Sequence, residues 1–183
     1  NHCASVCINP CNLDIAREVL EGSDVKIGTV IGFPSGAHTT FSKVAEAIDA
    51  YARGAVELDM VIDIGALRNG EYDDVYNDIK AVVDATPAVV KVILENCYLT
   101  KEQIVKGCQL CEKAGADFVK TSTGFAEGGA TVEDIKLMRE SVSEKVHVKA
   151  AGGIHSKEDV EALVAAGADR VGVSRTQAIA AEF

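Results

Sequence analysis

The sequence has no long apolar run and no excess of positive charge, and these two absences exclude several classes of protein. No stretch reaches the ~18 consecutive apolar residues that indicate a membrane-spanning helix, and no signal peptide is recognisable. The 183 residues include 18 Lys and Arg against 28 Asp and Glu, a formal net charge of −10. Such a surface repels polyanions, so neither nucleic acid nor a membrane is an expected partner. A local phosphate pocket stays open, because backbone amides and a few side chains can build one.

The six cysteines have no export signal beside them, so we interpret them as intracellular free thiols and expect a cytoplasmic location. Cys108 and Cys111 have redox or zinc spacing, but they lie within a helical pattern and no second pair matches them. Helix packing is the favoured interpretation, and a metal or redox role is the alternative. Cys3, Cys7 and Cys11 are four apart, a spacing that fits no iron–sulfur motif well.

Strand-like and helical segments alternate along the whole chain, which indicates an α/β fold with a parallel sheet and helices outside it. Glycines recur where a helix ends and a strand begins, at Gly54, Gly115 and Gly167, and this repeat suits a (β/α) barrel. No linker interrupts the pattern, so we predict a single domain over residues 1–183. Strands are predicted at 4–9, 26–33, 55–63, 88–95, 117–122, 146–152 and 170–174. Helices are predicted at 13–20, 39–53, 72–85, 101–114, 131–141 and 157–166.

Within the predicted strands, one face is apolar and the other is mixed and charged, because successive side chains point to opposite faces. In a barrel the apolar face lies under the helices and the charged face points inward. Buried charges must be paired, so two interpretations stand: purely structural ion pairs, for example Lys91 with Glu57 or Glu95, or a reactive site. The predicted interior charges are Glu57, Asp59, Lys91, Glu95, Lys120 and Lys149.

Lys120 and Lys149 stand in the middle of consecutive predicted strands. Burial penalises a charged ammonium, and neighbouring strands lie ~4.8 Å apart, so each cation disfavours the other. The pair can therefore supply a neutral amine, which is a nucleophile that forms Schiff bases with carbonyl compounds. Asp59 could shuttle a proton or position a water.

Small residues follow the predicted strands at the end where barrel enzymes bind phosphate. They are Thr123-Gly124, Gly152-Gly153, and Gly172 with Ser174. Arg175 could add charge there or lie on the surface.

These segments together resemble the deoxyribose-phosphate aldolase family over nearly the whole chain. Residues 118–125 (FVKTSTGF) resemble its Schiff-base segment, 148–154 (VKAAGGI) its second lysine segment, and 57–61 (ELDMV) the strand of its proton-relay aspartate. Further similar segments are 5–10 (SVCINP), 32–36 (GFPSG) and 91–95 (KVILE).

The resemblance implies a class I aldolase on a (β/α)8 TIM barrel that cleaves 2-deoxy-D-ribose 5-phosphate reversibly to acetaldehyde and D-glyceraldehyde 3-phosphate. It implies that Lys120 forms the imine, Lys149 favours its neutral amine, and Asp59 relays protons. No metal or organic cofactor is expected. The resemblance further implies that Cys7 and Thr123 line the substrate cleft. It assigns phosphate binding to Gly124, Gly152, Gly153, Gly172 and Ser174.

The sequence departs from the family pattern at its start, which matches the second strand of the family. We therefore expect a TIM barrel that lacks its first strand in this chain. We also expect a homo-oligomer, specifically a dimer. Two alternatives stay open. One is a catalytically impaired barrel that binds sugar phosphates, and the other is a Schiff-base aldolase of transaldolase type.

Overall fold

Residues 3–183 are described by the computed structural model, and they form one parallel sheet of seven strands. Each strand pairs with the next along the chain, so the spatial order is β1 to β7 without a crossover. All seven predicted strands are confirmed, and each is shorter than predicted. Their bounds are β1 Ser5–Ile8, β2 Lys26–Ile31, β3 Glu57–Val61, β4 Val89–Ile93, β5 Phe118–Lys120, β6 His147–Ala151 and β7 Arg170–Gly172.

The six predicted helices are present, together with two that were not predicted, α3 and α8. Side-chain caps explain several starts: Thr39, Thr100, Thr131 and Ser156 each accept a hydrogen bond from a backbone amide of the first turn. The helices are α1 Leu13–Val19, α2 Thr40–Ala52, α3 Ile64–Asn69, α4 Tyr72–Ala85, α5 Lys101–Ala114, α6 Val132–Glu140, α7 Lys157–Ala165 and α8 Thr176–Ala180.

Glycines in the left-handed conformation separate helices from the strands that follow, as the sequence repeat predicts. Gly54, Gly115 and Gly167 have φ of 100°, 87° and 113°, a region in which a side chain is strained. Each reverses the chain from a helix into β3, β5 or β7. The repeat is therefore a backbone requirement of the strand–helix unit.

The sheet is curled into a barrel-like trough with the apolar strand face under the helices. Leu58, Met60, Val92 and Val119 on that face are fully buried in the core. The curl is visible in an ion pair that spans the concave side, since Arg170 on β7 lies 2.8 Å from Glu57 on β3. This is the predicted TIM-barrel type of fold with seven strands in this chain, and within residues 3–183 β1 and β7 do not pair with each other.

Because the strands are parallel, their carboxyl ends and the loops that follow them share one edge of the sheet. This edge carries residues 32–38 after β2 and 121–131 after β5. Strand β7 ends at Gly172, so Ser174 lies beyond the strand, not within it as predicted. Among the helices of residues 3–183, none is long and apolar enough to cross a membrane.

Candidate active site

One carboxylate oxygen joins the two strand lysines in the concave interior. Nζ of Lys120 and Nζ of Lys149 each lie 2.7 Å from Oδ2 of Asp59. The three residues are on β5, β6 and β3, and all are buried. Lys120 and Lys149 are also paired in register on adjacent strands. The proximity predicted from strand spacing is confirmed, and Asp59 holds both amines.

The other carboxylate oxygen of Asp59, Oδ1, contacts a second group of charged side chains. Nζ of Lys91 lies 3.0 Å from Oδ1 of Asp59 and 2.8 Å from Oε2 of Glu57. Nη1 of Arg170 donates to both carboxylate oxygens of Glu57 at 2.8 Å. Of the two partners expected for Lys91, Glu57 is correct and Glu95 is wrong, because Glu95 bonds elsewhere. Structural ion pairs and the lysine pair therefore belong to one network.

The network lowers two pKa values. The shift favours the charged form of Asp59 but the neutral form of Lys149. Burial alone would raise the pKa of Asp59, but Lys120, Lys149 and Lys91 outweigh it and hold that pKa well below its ordinary value. Burial, followed by the positive charges of Lys120 and Lys91, lowers the pKa of Lys149 even though Asp59 opposes this shift. The resting site thus favours the carboxylate form of Asp59, and Lys149 releases its proton more readily than an exposed lysine.

The predicted glycines lie at the carboxyl edge, and two of them contact the lysine strands. A Cβ on Gly172 would lie 3.2 Å from Cε of Lys149, so the glycine leaves room for that side chain. A Cβ on Gly152 would lie 3.3 Å from Cβ of Ser122, two residues beyond Lys120. Gly124 and Gly153, both with positive φ, are exposed, as is Ser174.

The two residues expected to line the cleft stand on opposite sides of the interior. Cys7 is on β1, and the charges of Asp59, Lys120 and Lys149 all act on its thiol. Partial removal from water, followed by the Asp59 carboxylate, raises the pKa of Cys7. Thr123 follows β5, where its amide and hydroxyl both donate to Glu95.

Arg170 and an aromatic pair were missed by the sequence reasoning. Arg170 alternates with Gly172 on β7 and so shares its inward face, a signal that could have identified it. The rings of Phe33 and Phe125 pack edge to face with centroids 5.2 Å apart. They belong to loops after β2 and β5, and no sequence periodicity links two such loops.

The chain is similar in sequence and fold to known proteins. A family model described as DeoC/LacD family aldolase matches residues 1–176. The chain belongs to the DeoC/LacD aldolase family. A curated relative, deoxyribose-phosphate aldolase of Thermoanaerobacter pseudethanolicus, is 56% identical over 184 residues, which cover 98% of this chain and 82% of the relative. The enzyme of the same name from Clostridium perfringens strain SM101 is 59% identical over 178 residues, covering 96% and 80%.

Solved structures of this aldolase family share the fold. The structure described as QR15, an aldolase, has a TM-score of 0.94 and 44% identity, covering 98% of this chain and 81% of that chain. A deoxyribose phosphate aldolase from Aeropyrum pernix has a TM-score of 0.87 and 32% identity, covering 94% and 74%. The resemblance noted in the motifs is therefore confirmed over nearly the whole chain.

Proposed function

We propose that this chain is a class I aldolase that cleaves 2-deoxy-D-ribose 5-phosphate reversibly to D-glyceraldehyde 3-phosphate and acetaldehyde. The observation that carries the proposal is the pair of buried amines 2.7 Å from one Asp59 oxygen. The curated relatives quoted above bear the name of this activity. A lysine nucleophile beside a second lysine and a carboxylate has the groups that Schiff-base chemistry needs.

The reaction begins when the neutral Nζ of Lys120 attacks the substrate aldehyde carbon and water leaves, giving a protonated imine. The imine draws electrons as the C2–C3 bond breaks, and the C3 hydroxyl loses its proton to a base. Glyceraldehyde 3-phosphate departs, and the remaining enamine takes a proton at C2 before water releases acetaldehyde. Asp59 relays these protons with Lys149, whose lowered pKa makes it a readier proton donor than an ordinary lysine.

The phosphate would lie at the carboxyl edge of β5, β6 and β7. Gly124, Gly152 and Gly153 have positive φ there, and glycine at such positions lets an anion approach backbone amides closely. Gly172 and Ser174 would complete this site from β7. Cys7 and Thr123 would line the cleft between the phosphate and the lysines.

Borohydride trapping tests the proposal. The chain is incubated with deoxyribose 5-phosphate, reduced, digested and mapped by mass spectrometry, with Lys120→Met as the matched variant. We expect one reduced adduct, on Lys120, and none in the variant. An adduct on another lysine, or no adduct with the wild-type chain, contradicts the proposal. Acetaldehyde release measured with the same substrate separates it from a transaldolase-type reaction.

A second candidate is a catalytically impaired barrel that binds sugar phosphates. The observation in its favour is that the sheet of residues 3–183 is not closed, since β1 and β7 do not pair with each other. This candidate predicts saturable binding of deoxyribose 5-phosphate without a trapped adduct or product.

We further propose that residues 1–183 act as one domain, and that the chain is cytoplasmic and forms a homodimer. The Aeropyrum pernix relative is described as tetrameric, and α2 exposes the large apolar side chains of Phe41, Ile48 and Tyr51. Light scattering during gel filtration should give twice the mass of one chain, and a monomer would contradict the dimer.

A further inference from the structure

We propose that Glu95 is a positioning residue that fixes the segment Thr123–Phe125. This segment lies at the carboxyl edge of the sheet, where the site opens, which we call its mouth. By fixing it, Glu95 controls binding of the phosphate-bearing half of the substrate. The inference rests on the proposed function, since it assumes that Lys120 is the residue that forms the imine. None of the roles assigned above requires Glu95.

The Glu95 carboxylate is buried, yet it is bonded by a loop and not by a cation. Its Oε1 accepts from the amide of Thr123 at 3.1 Å, and its Oε2 accepts from the Thr123 hydroxyl. The residue is 2% exposed. Within residues 3–183 no lysine or arginine lies within ion-pair distance of it. Because the buried carboxylate of Glu95 accepts from both the amide and the hydroxyl of Thr123, it restricts the position of Thr123 closely.

The backbone places Glu95 directly beside the lysine strand. The amide of Leu94 donates to the carbonyl of Lys120 at 2.9 Å, and the amide of Asn96 donates to the carbonyl of Thr121 at 3.0 Å. Between these two bonds Glu95 adopts φ 56° and ψ 62°, a left-handed conformation that non-glycine residues rarely adopt. Such strain persists where the surroundings impose it, often at functional sites. Here it turns the carboxylate toward Thr123.

Thr123 in turn fixes an aromatic contact across the mouth. Its hydroxyl accepts from the amide of Phe125 at 3.0 Å, and the Phe125 ring packs on Phe33 at 88°. These rings belong to loops after β5 and β2, so the contact spans the ends of β3 and β4, which lie between them. The Phe33–Phe125 pair therefore lies over the Asp59 side of the mouth. The side of β6 and β7, with its glycines, is left for the phosphate-bearing half of the substrate.

The test separates binding of the whole substrate from chemistry at Lys120. Steady-state KM and kcat for deoxyribose 5-phosphate are measured beside the rate at which borohydride traps acetaldehyde, which has no phosphate. For Glu95→Gly, which suits the left-handed backbone, we expect KM to rise about tenfold or more. The acetaldehyde trapping rate should stay within about twofold, because Lys120, Lys149 and Asp59 are untouched.

Two further variants show whether Glu95 acts through Thr123. Glu95→Gln keeps an acceptor for the Thr123 amide, so most of the KM increase should be recovered. The increases caused by Glu95→Gly and Thr123→Val should not multiply fully in the double variant, because both remove the bond from the Thr123 hydroxyl to Glu95. An unchanged KM in Glu95→Gly, fully multiplying effects, or an equal loss of acetaldehyde trapping would overturn the inference. If the wild-type chain traps no aldehyde, the proposed function fails instead.

Discussion

Lys91 donates a hydrogen bond to Oδ1 of Asp59 at 3.0 Å, on the opposite oxygen from the one that accepts the two strand lysines. With Lys91 and Arg170 included, the interior network holds four basic side chains and two carboxylates. Such a network favours release of a proton from one of its amines, since each cation disfavours the others. Lys91 therefore acts electrostatically on the lysine pair, and it lowers the pKa of Lys149.

We expect Lys91→Met to move the acidic limb of the kcat/KM profile to higher pH by about half to one pH unit. The sign follows from the charge removed: Lys91 lowers the pKa of Lys149, so its loss lets that pKa rise toward the ordinary value. Less neutral amine is then present at neutral pH, and activity lost there should return as the pH is raised. The profile is measured with deoxyribose 5-phosphate across the stable pH range.

Lys43→Met is the matched control for that profile. Lys43 is also a fully buried lysine, but it pairs with Asp78 between α2 and α4. Its removal changes stability without removing a charge from the Asp59 network, so the acidic limb should stay in place. An unchanged limb in Lys91→Met, or equal shifts in both variants, would show that Lys91 does not act electrostatically on the lysine pair.

Gly172→Ala should reduce activity while leaving stability nearly unchanged. A Cβ there would lie 3.2 Å from Cε of Lys149, tighter than an ordinary contact, so the lysine must move by a few tenths of an ångström. Small displacements of catalytic groups can lower rates by up to about a hundredfold, and we expect a decrease of about tenfold in kcat. Steady-state kinetics and urea unfolding measure the two effects.

The control for this substitution is Gly65→Ala in α3. The only atom near its added Cβ is Oδ1 of Asp63 at 3.4 Å, and alanine favours a helix over glycine by about 1 kcal/mol. We expect this variant to be slightly more stable and as active as wild type. If Gly172→Ala retains full kcat, the position of Lys149 is less constrained than the packing indicates.

The strands and the direction of their side chains were predictable. The two-residue alternation that gives the apolar core face also gives the charged interior face. Alternation placed Lys120, Lys149 and Asp59 on one face, and all three meet there. Helix α3 was missed because its six residues are too few to show a helical period. Its two ends could still have identified it, since Asp63 caps its start and Gly70 ends it with φ 79°.

Interactions between loops were not predictable in the same way. Phe33 and Phe125 meet because the sheet curls, and the curl is a property of all seven strands together. Glu95 was expected to point inward by alternation, but its backbone leaves the strand conformation immediately after β4. The alternation rule ends where the strand ends, so its prediction for Glu95 was wrong in partner although correct in burial.

Loss of the Lys43–Asp78 pair should destabilise the fold strongly. Nζ of Lys43 lies 2.6 Å from Oδ2 of Asp78 and donates to the carbonyl of Val61 at 3.0 Å. Removing one member leaves a buried carboxylate without its cation, which reduces the free energy of unfolding by about 3 to 5 kcal/mol. Urea unfolding of Lys43→Met measures this. The double variant with Asp78→Leu should recover part of the loss, and a decrease below about 1 kcal/mol in Lys43→Met would contradict the prediction.

The thiols of Cys108 and Cys111 should resist alkylation in the folded protein. Both lie on the buried side of α5, in agreement with the helix-packing interpretation. Burial raises the pKa of Cys108 to about 12, and burial followed by Cys108 raises that of Cys111 well above its ordinary value. Since the thiolate is the reactive form, we expect alkylation of both to be at least about a thousandfold slower than that of the exposed thiols.

Peptide mapping after timed treatment with iodoacetamide measures these rates, and the exposed Cys11 and Cys97 serve as internal references. A chelator should leave the slow pair unchanged, because packing and not a metal protects it. Rapid labelling of Cys108 or Cys111 in the native state would show that α5 opens locally. Faster labelling with chelator present would instead revive the metal interpretation of their spacing.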